Sequence, residues 1–291
     1  MRNFKYIITL TITILIFTIS PLHVYSESPL DLQVHFIDVG QGDSMLIETP
    51  SDKTILIDGG PPEAGSKVVS YLQDQQIEKI DLLIATHPDM DHIGGLPHVM
   101  EKIRVKRILD SGKLHNTSIY AAYLQQIRKQ NIPVHIAMEN EKIRIDPALS
   151  IRVLNTYGAT KTNNQSSIAL KLTYEEVDFL LMSDVEMEQE KKLMETHDVE
   201  AEIIKVAHHG SNTSTSFPFL KAVNPETALL TYSKENDFGH PVDRVIANLN
   251  KINAAIYSTA SFGDVLIKTD GKRYVVLPEE NPLQRMIKSV S

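Results

Sequence analysis

Residues 86–95 read THPDMDHIGG and follow directly on the apolar run IDLLIA at 80–85. With five apolar residues of six, of which 82–85 are continuous, this run fits a buried strand. A strand end fixes where the next loop begins. In so tight a loop the alternate residues His87 and Asp89 can aim at one point and the adjacent Asp91 and His92 at a second. Imidazole and carboxylate are donors suited to Zn²⁺ or Mn²⁺. Gly94 and Gly95 then allow close backbone approach where a helix starts. The plainer reading, a charged loop tip, leaves this order of four ligand types without a reason.

The same device recurs downstream. FLLMSDVE at 179–186 places Asp184 beyond a second very apolar run. Alone, such an aspartate reads as the N-cap of a helix starting at VEMEQEKKL; beside the first motif, a carboxylate bridging two metals becomes the stronger reading. IIKVAHHGSNTS at 203–214 ends a third strand in His208, His209 and Gly210. Two imidazoles at one buried edge need partners, so a metal or catalytic role is expected of the pair. Ser211, Thr213 and Ser214 either bind phosphate or begin the next helix. In NDFGHPVD at 236–243, His240 is a candidate substrate contact or general acid, although Gly-His-Pro also suits a turn. His35, His98, His115, His135 and His197 stand alone and read as structural.

Outward from these motifs, LQVHFIDV, SMLIET and TILID alternate with the turn signals GQGD and PSDK, an antiparallel meander. Strand–helix alternation follows: helix at SKVVSYLQDQQI, strand at DLLIAT, helix at LPHVMEKI, then strand VKRILD, helix SIYAAYLQQIRKQ and strand VHIA. A second strand-rich stretch, 143–182, opens a second alternation: helix EMEQEKKLMETH, strand AEIIKVA, helix FPFLKAV, strand TALLTY and helix PVDRVIANLNKI. AAIYST and DVLIKTDGKRYVVL close the chain. Two halves of this kind predict an α/β fold, two mixed sheets face to face with helices outside, a four-layer αββα sandwich. One domain over 27–278 is expected, with a partly basic tail at 279–291.

The first 26 residues are set aside as an export signal: Arg2 and Lys5 precede an apolar core of about 14 residues, and cleavage is expected after Ser26. That core is short of the roughly 20 residues a membrane helix needs; an uncleaved anchor is the alternative. The 291-residue chain holds 29 Lys and Arg against 37 Asp and Glu, a net charge of −8, and removal of Arg2 and Lys5 makes it −10. So acidic a chain repels phosphate backbones, which excludes a tight, sequence-independent nucleic-acid binder. Cysteine is absent, so thiolate ligands and disulfides are excluded.

Taken together, VHFIDVGQGDSMLIE, TILIDGG, IDLLIATHPDMDHIGGL, TNNQSSIAL, FLLMSDVE, AEIIKVAHHGSNTS and NDFGHP resemble the metallo-β-lactamase superfamily, and most of all the hydrolase domain of ComEC-type competence proteins. They run from Val34 to about residue 269. The channel and oligonucleotide-binding domains of those proteins have no counterpart in this sequence. The resemblance implies an αββα fold and two divalent ions, Zn²⁺ or Mn²⁺, between the sheets. It implies that His87 and Asp89 help hold one ion, Asp91 and His92 the other, and that Asp184 bridges them. One of His208 and His209 completes the second site; spacing does not say which. Asp58 in LIDGG falls at the site's edge, behind the ligands. The chain departs from the wider superfamily in having Asp89 where a histidine is usual and NNQSS where a further histidine ligand often stands. Asn164, Ser167 and Ser211 are thus candidates only for weak metal or substrate contacts, and the oxygen-rich set favours Mn²⁺.

The expected activity is that of an exported phosphodiesterase or nuclease. A divalent pair would activate a water as hydroxide, with Asp91 or Asp184 steering it and His240 or the spare histidine protonating the leaving oxygen. The expected substrate is a small or exposed phosphodiester, from DNA or the cell envelope, with no stable nucleic-acid complex and no membrane span once the leader is removed. A lactone or lactam hydrolase and a catalytically weak metal-binding accessory protein are the rivals.

Overall fold

The computed structural model describes residues 31–159 and 161–281. The segment expected to be an export signal and most of the expected tail therefore lie outside the described residues. In Leu32–Phe36, side chains alternate across the pleat. Leu32, Val34 and Phe36 join the core between the sheets. His35 points the other way, to the Tyr71 hydroxyl at 2.8 Å and Glu48 at 3.0 Å. The same division runs through Leu82–Ala85, where Leu82 and Ile84 face inward while Leu83 and Ala85 lie under helices. Because both faces are covered, these strands read as continuous apolar runs.

Each sheet is half antiparallel and half parallel. In the first, Leu32–Phe36, Met45–Glu48 and Thr54–Ile57 form a meander, and Leu82–Ala85, Ile108–Asp110 and Val134–Ile136 continue it in parallel. The second begins with the antiparallel strands Lys142–Ile143, Leu149–Asn155, Ala169–Tyr174 and Val177–Leu181. Ile203–Lys205, Thr227–Leu230 and Ala255–Ser258 then add parallel strands. Gly65–Asp74, Leu96–Lys102 and Ser118–Gln130 cover the first sheet, and Met187–Thr196, Phe217–Val223 and Asp243–Lys251 cover the second. The four-layer αββα sandwich expected from the two halves is the observed architecture.

One connection was not legible. The closing hairpin, Val265–Thr269 and Tyr274–Pro278, crosses back to the first sheet and pairs antiparallel with Leu32–Phe36. It covers an edge that would otherwise stand open. Between the sheets, Phe36, Phe179, Leu172 and Ile267 belong to one core, all fully buried. Burial of each such side chain contributes about 1.5–3 kcal/mol, and Phe179→Ala is expected to cost about 3–5 kcal/mol.

Candidate metal centre

The parallel strands of both sheets end at one place. Asp58 follows Thr54–Ile57, His87 lies just past Leu82–Ala85, Asp184 past Val177–Leu181, and His208 and His209 past Ile203–Lys205. Several of these ends are in left-handed backbone, with φ of 56° at Asp58, 47° at Ser183, 50° at His208 and 54° at His209. Non-glycine residues in this region are strained and persist where surroundings over-determine them. The helix after Asp184 is capped by Glu186, in a reciprocal pair with Gln189. The capping role is thus filled two residues on, and the Asp184 side chain is turned into the site. Behind the first loop, Gly95 passes so close to the Gly59 carbonyl that a Cβ would lie 2.1 Å from its oxygen.

Asp184 is the hub. Its Oδ2 lies 3.4 Å from His92 Nε2, 3.6 Å from His209 Nε2, 3.7 Å from His208 Nε2 and 3.9 Å from His87 Nε2. On one side Asp91 Oδ2 is 3.3 Å from His209 Nε2 and 3.9 Å from His92 Nε2. On the other, Asp89 Oδ2 is 3.5 Å from His87 Nε2. Donor atoms of Asp91, His92, Asp184 and His209 all fall within 4.8 Å of one another. His208 is more exposed, at the rim.

The outer nitrogens of the three buried imidazoles are all engaged. His92 Nδ1 is 2.8 Å from Asp58 Oδ2, His209 Nδ1 2.7 Å from the Thr231 carbonyl, and His87 Nδ1 3.1 Å from the Thr86 hydroxyl. Thr86 in turn donates its amide at 2.9 Å and its hydroxyl at 2.6 Å to Asp58, and receives the Ser183 hydroxyl at 2.8 Å. Each Nδ1 therefore carries the proton, and each Nε2 presents its lone pair inward. His87 Nε2, His92 Nε2, His209 Nε2 and Asp184 Oδ1 are buried without a hydrogen-bond partner. Leaving one such atom unsatisfied costs about 1–3 kcal/mol, and four converge here. A divalent cation satisfies lone pairs of this kind, so the donor set fits a metal centre.

Electrostatics follow from the crowding. Burial opposes ionisation of Asp184, but charge on His92 and His209 outweighs it and holds the carboxyl well below the usual range. Asp91 is lowered likewise, against burial, by His92 and His209. Burial also works against charge on His92 and His209, yet Asp184 leads the carboxylates that raise both imidazoles. Burial, followed by His208 and His209, pushes His240 down to about 4.

Some assignments from sequence change. Asp89 receives its amide partner from Asn163, at 2.6 Å, and Asn164 lies instead 3.2 Å from His208 Nε2. Ser211 is folded into its own loop: its hydroxyl lies 3.2 Å from that of Thr213, and it also receives the Thr213 amide. The Ser167 hydroxyl is buried and unpartnered, behind Thr86, whose carbonyl accepts the Ile168 amide. His240, lowered to about 4, stands beside the cluster. Its ring lies 5.6 Å from that of His208.

Two further residues escaped the sequence reading. Asp43, read as part of a turn, and Lys205, read as part of an apolar strand, form a fully buried ion pair at 2.5 Å. Asp43 also receives the Thr231 hydroxyl at 2.5 Å and lies 3.5 Å from His209 Nδ1. A lysine is almost never fully buried unless paired, so Lys205 inside IIKVA was the available signal.

Comparison with known proteins agrees with this geometry. The family model for the metallo-β-lactamase superfamily matches residues 37–233. ComE operon protein 3 of Bacillus subtilis is 28% identical over 263 residues, covering 84% of this chain and 34% of the relative. Competence protein ComA of Neisseria gonorrhoeae is 25% identical over 221 residues, covering 72% and 28%. The chain thus spans about a third of the length of these relatives. Among solved structures, CmlA, a diiron β-hydroxylase from Streptomyces venezuelae, superposes with a TM-score of 0.56 at 15% identity, over 85% of this chain and 54% of that one. The metallo-β-lactamase fold protein YhfI from Bacillus subtilis gives 0.53 at 13%, over 78% and 96%. At such identities these two show the fold alone. The matched span and the buried donors at the strand ends lead to one conclusion: the chain belongs to the metallo-β-lactamase superfamily, with ComEC-type competence proteins among its relatives.

Proposed function

We propose that this chain is a metal-dependent phosphodiesterase of the cell exterior. The observation that carries the reading is Asp184, whose single Oδ2 faces four imidazole Nε2 atoms at 3.4 to 3.9 Å. Asp91, His92, His209 and Asp184 would hold one divalent ion. His87, Asp89 and Asp184 would hold a second, with His208 at the open side. Bound there, Zn²⁺ or Mn²⁺ would bring a water's pKa toward neutrality and neutralise charge on phosphate oxygens.

The chain's own groups set the rest. Asp58, Thr86 and Thr231 fix the tautomers of His92, His87 and His209, so the Nε2 lone pairs stay aimed inward. Asp89 and Asp91, about a third exposed at the mouth, stand where substrate enters. His240 is neutral and serves as a hydrogen-bonding contact to the substrate or leaving oxygen. The net charge of −8 supports a short or exposed diester over long duplex DNA. Residues 1–26, read as an export signal, and the competence-protein relatives support an extracytoplasmic site of action.

Hydrolysis of bis-p-nitrophenyl phosphate with Mn²⁺ and Zn²⁺ side by side tests the proposal. Turnover abolished by Asp91→Ala and Asp184→Ala is expected. Turnover of lactams or lactones, with none of phosphodiesters, would overturn it.

A further inference from the structure

Beside this polar centre one aromatic side chain stands in the open. Phe238 is 67% exposed, and its ring stacks on His240 at 5.6 Å with planes 24° apart. His240 in turn lies 5.6 Å from His208 and 6.4 Å from His209, ring to ring. The phenyl ring thus extends a stack that begins at the donor cluster, and its outer surface is free.

An exposed phenylalanine on a loose loop tip would carry no meaning; this one is held. The Asn236 side chain donates to the Ser233 carbonyl and the His240 carbonyl, both at 2.7 Å. Its oxygen accepts the amides of Phe238 at 3.1 Å and His240 at 3.0 Å. Two donors and two acceptor positions are all an asparagine amide has, and every one is spent on the backbone around Phe238. The loop is also fastened to the site itself. Pro241 packs so closely on Gly210 that a Cβ there would sit 2.6 Å from the proline Cβ, and the Val242 amide donates to the Gly210 carbonyl at 3.0 Å. A hydrophobic ring fixed in water beside a reaction centre is costly to leave uncovered and pre-organised to be covered.

We infer that Phe238 is a stacking platform for an unpaired nucleobase next to the scissile phosphate, which makes a single-stranded oligonucleotide end the preferred phosphodiester. The inference rests on the phosphodiesterase reading and sharpens it. Planar, neutral base faces are what an open phenyl ring on an acidic protein can hold. A net charge of −8 works against holding a long phosphate backbone, whereas base–aromatic stacking does not depend on that charge and is tolerant of sequence. A duplex hides its base faces.

The test compares a short oligothymidylate with an abasic oligodeoxyribose phosphate of equal length on the metal-loaded protein, for the parent, Phe238→Ala, Phe238→Trp and Asn236→Ala. Expected for Phe238→Ala is a rise in KM of about tenfold on oligothymidylate, with kcat and the abasic substrate little changed. Phe238→Trp should restore KM, and Asn236→Ala should raise it. Equal losses on both substrates would overturn the inference, because the ring would then act through the fold. A choline phosphodiester showing the Phe238 dependence that oligothymidylate lacks would overturn it too. If no diester is cleaved, binding of oligothymidylate containing 2-aminopurine decides by fluorescence. Quenching lost in Phe238→Ala would uphold the platform while the phosphodiesterase reading fails, and identical binding by both proteins would sink the platform.

Discussion

Replacing Lys205 by methionine removes a charge while keeping most of the side chain's volume. In the parent, Asp43 and Lys205 are both fully buried and 2.5 Å apart. Burial opposes ionisation of Asp43, and Lys205 is the foremost group that overcomes it. Without the ammonium, Asp43 faces Asp184 with the Thr231 hydroxyl and the more distant His209 and His92 rings as its remaining side-chain partners. Breaking a buried pair by deleting one member costs about 3–5 kcal/mol. A domain of this size loses about 2–4 °C of Tm per kcal/mol, so Lys205→Met is expected to lower the metal-free Tm by about 6–20 °C. Thermal unfolding followed by circular dichroism in EDTA measures it. The double variant Asp43→Asn/Lys205→Met has no buried charge at this position and should recover a large part of the loss, with the non-additivity expected of residues in contact. Lowering the pH should also narrow the Lys205→Met deficit, since a protonated Asp43 no longer needs a counter-charge. A Tm within 2 °C of the parent, or a double variant that loses the sum of the single losses, would refute the account.

Three further outcomes follow from the same geometry. His209→Ala should lose far more affinity for Mn²⁺ or Zn²⁺ by calorimetry than His208→Ala, because His209 is buried against Asp91 and Asp184 while His208 stands at the rim; equal losses would refute this. Asp58→Asn, which weakens the hold on His92 and Thr86, should lower metal affinity about 10–100-fold with the fold intact by circular dichroism. The metal-free protein should be most stable between about pH 4 and 6.5. His92 and His209 titrate above the ordinary 6.5, so their contribution is complete below that value and is lost as pH rises through the raised pKa. Asp184, Asp91 and Asp43 titrate below 3.8, so theirs is present above it and lost as pH falls. Metal affinity should run the opposite way on the alkaline side and rise with pH, because binding must expel the imidazole protons; a metal-free Tm that climbs steadily from pH 6 to 9 would refute the scheme.

What the sequence showed and what it hid divide along a physical line. Helix Ser118–Gln130 was legible to the residue, because 3.6-residue periodicity is written locally. THPDMDHIGG, MSDVE and AHHGS were legible because each packs ligand types against an apolar run. Long-range pairing left no such trace. The closing hairpin's return to Leu32–Phe36 depends on a distant open edge, and Asp43 looked like a turn residue because its partner lies on the other sheet. Asn163 and Asn164 are neighbours in sequence, and only the turn that holds them decides which meets Asp89 and which meets His208. Phe238 carried no periodicity, and its significance came from exposure.

The placement of Lys205 bears on how many ions the centre takes. Asp58, Asp89 and Asp184 come from loops at strand ends and Asp91 from the short helix Met90–Ile93, yet Lys205 rises from within Ile203–Lys205 and meets Asp43. Asp43, Asp58, Asp89, Asp91 and Asp184 bring five carboxylates into this small space. With the histidines neutral, as metal ligation requires, Lys205 leaves four negative charges uncompensated. One divalent ion would still leave two negative charges uncompensated, at a cost that rises where water is excluded. Two divalent ions, as proposed above, would neutralise the set. On that count Lys205 would supply a fixed fifth positive charge, so that Asp43 can remain ionised and hold Thr231, and through it His209, without drawing on the ions themselves.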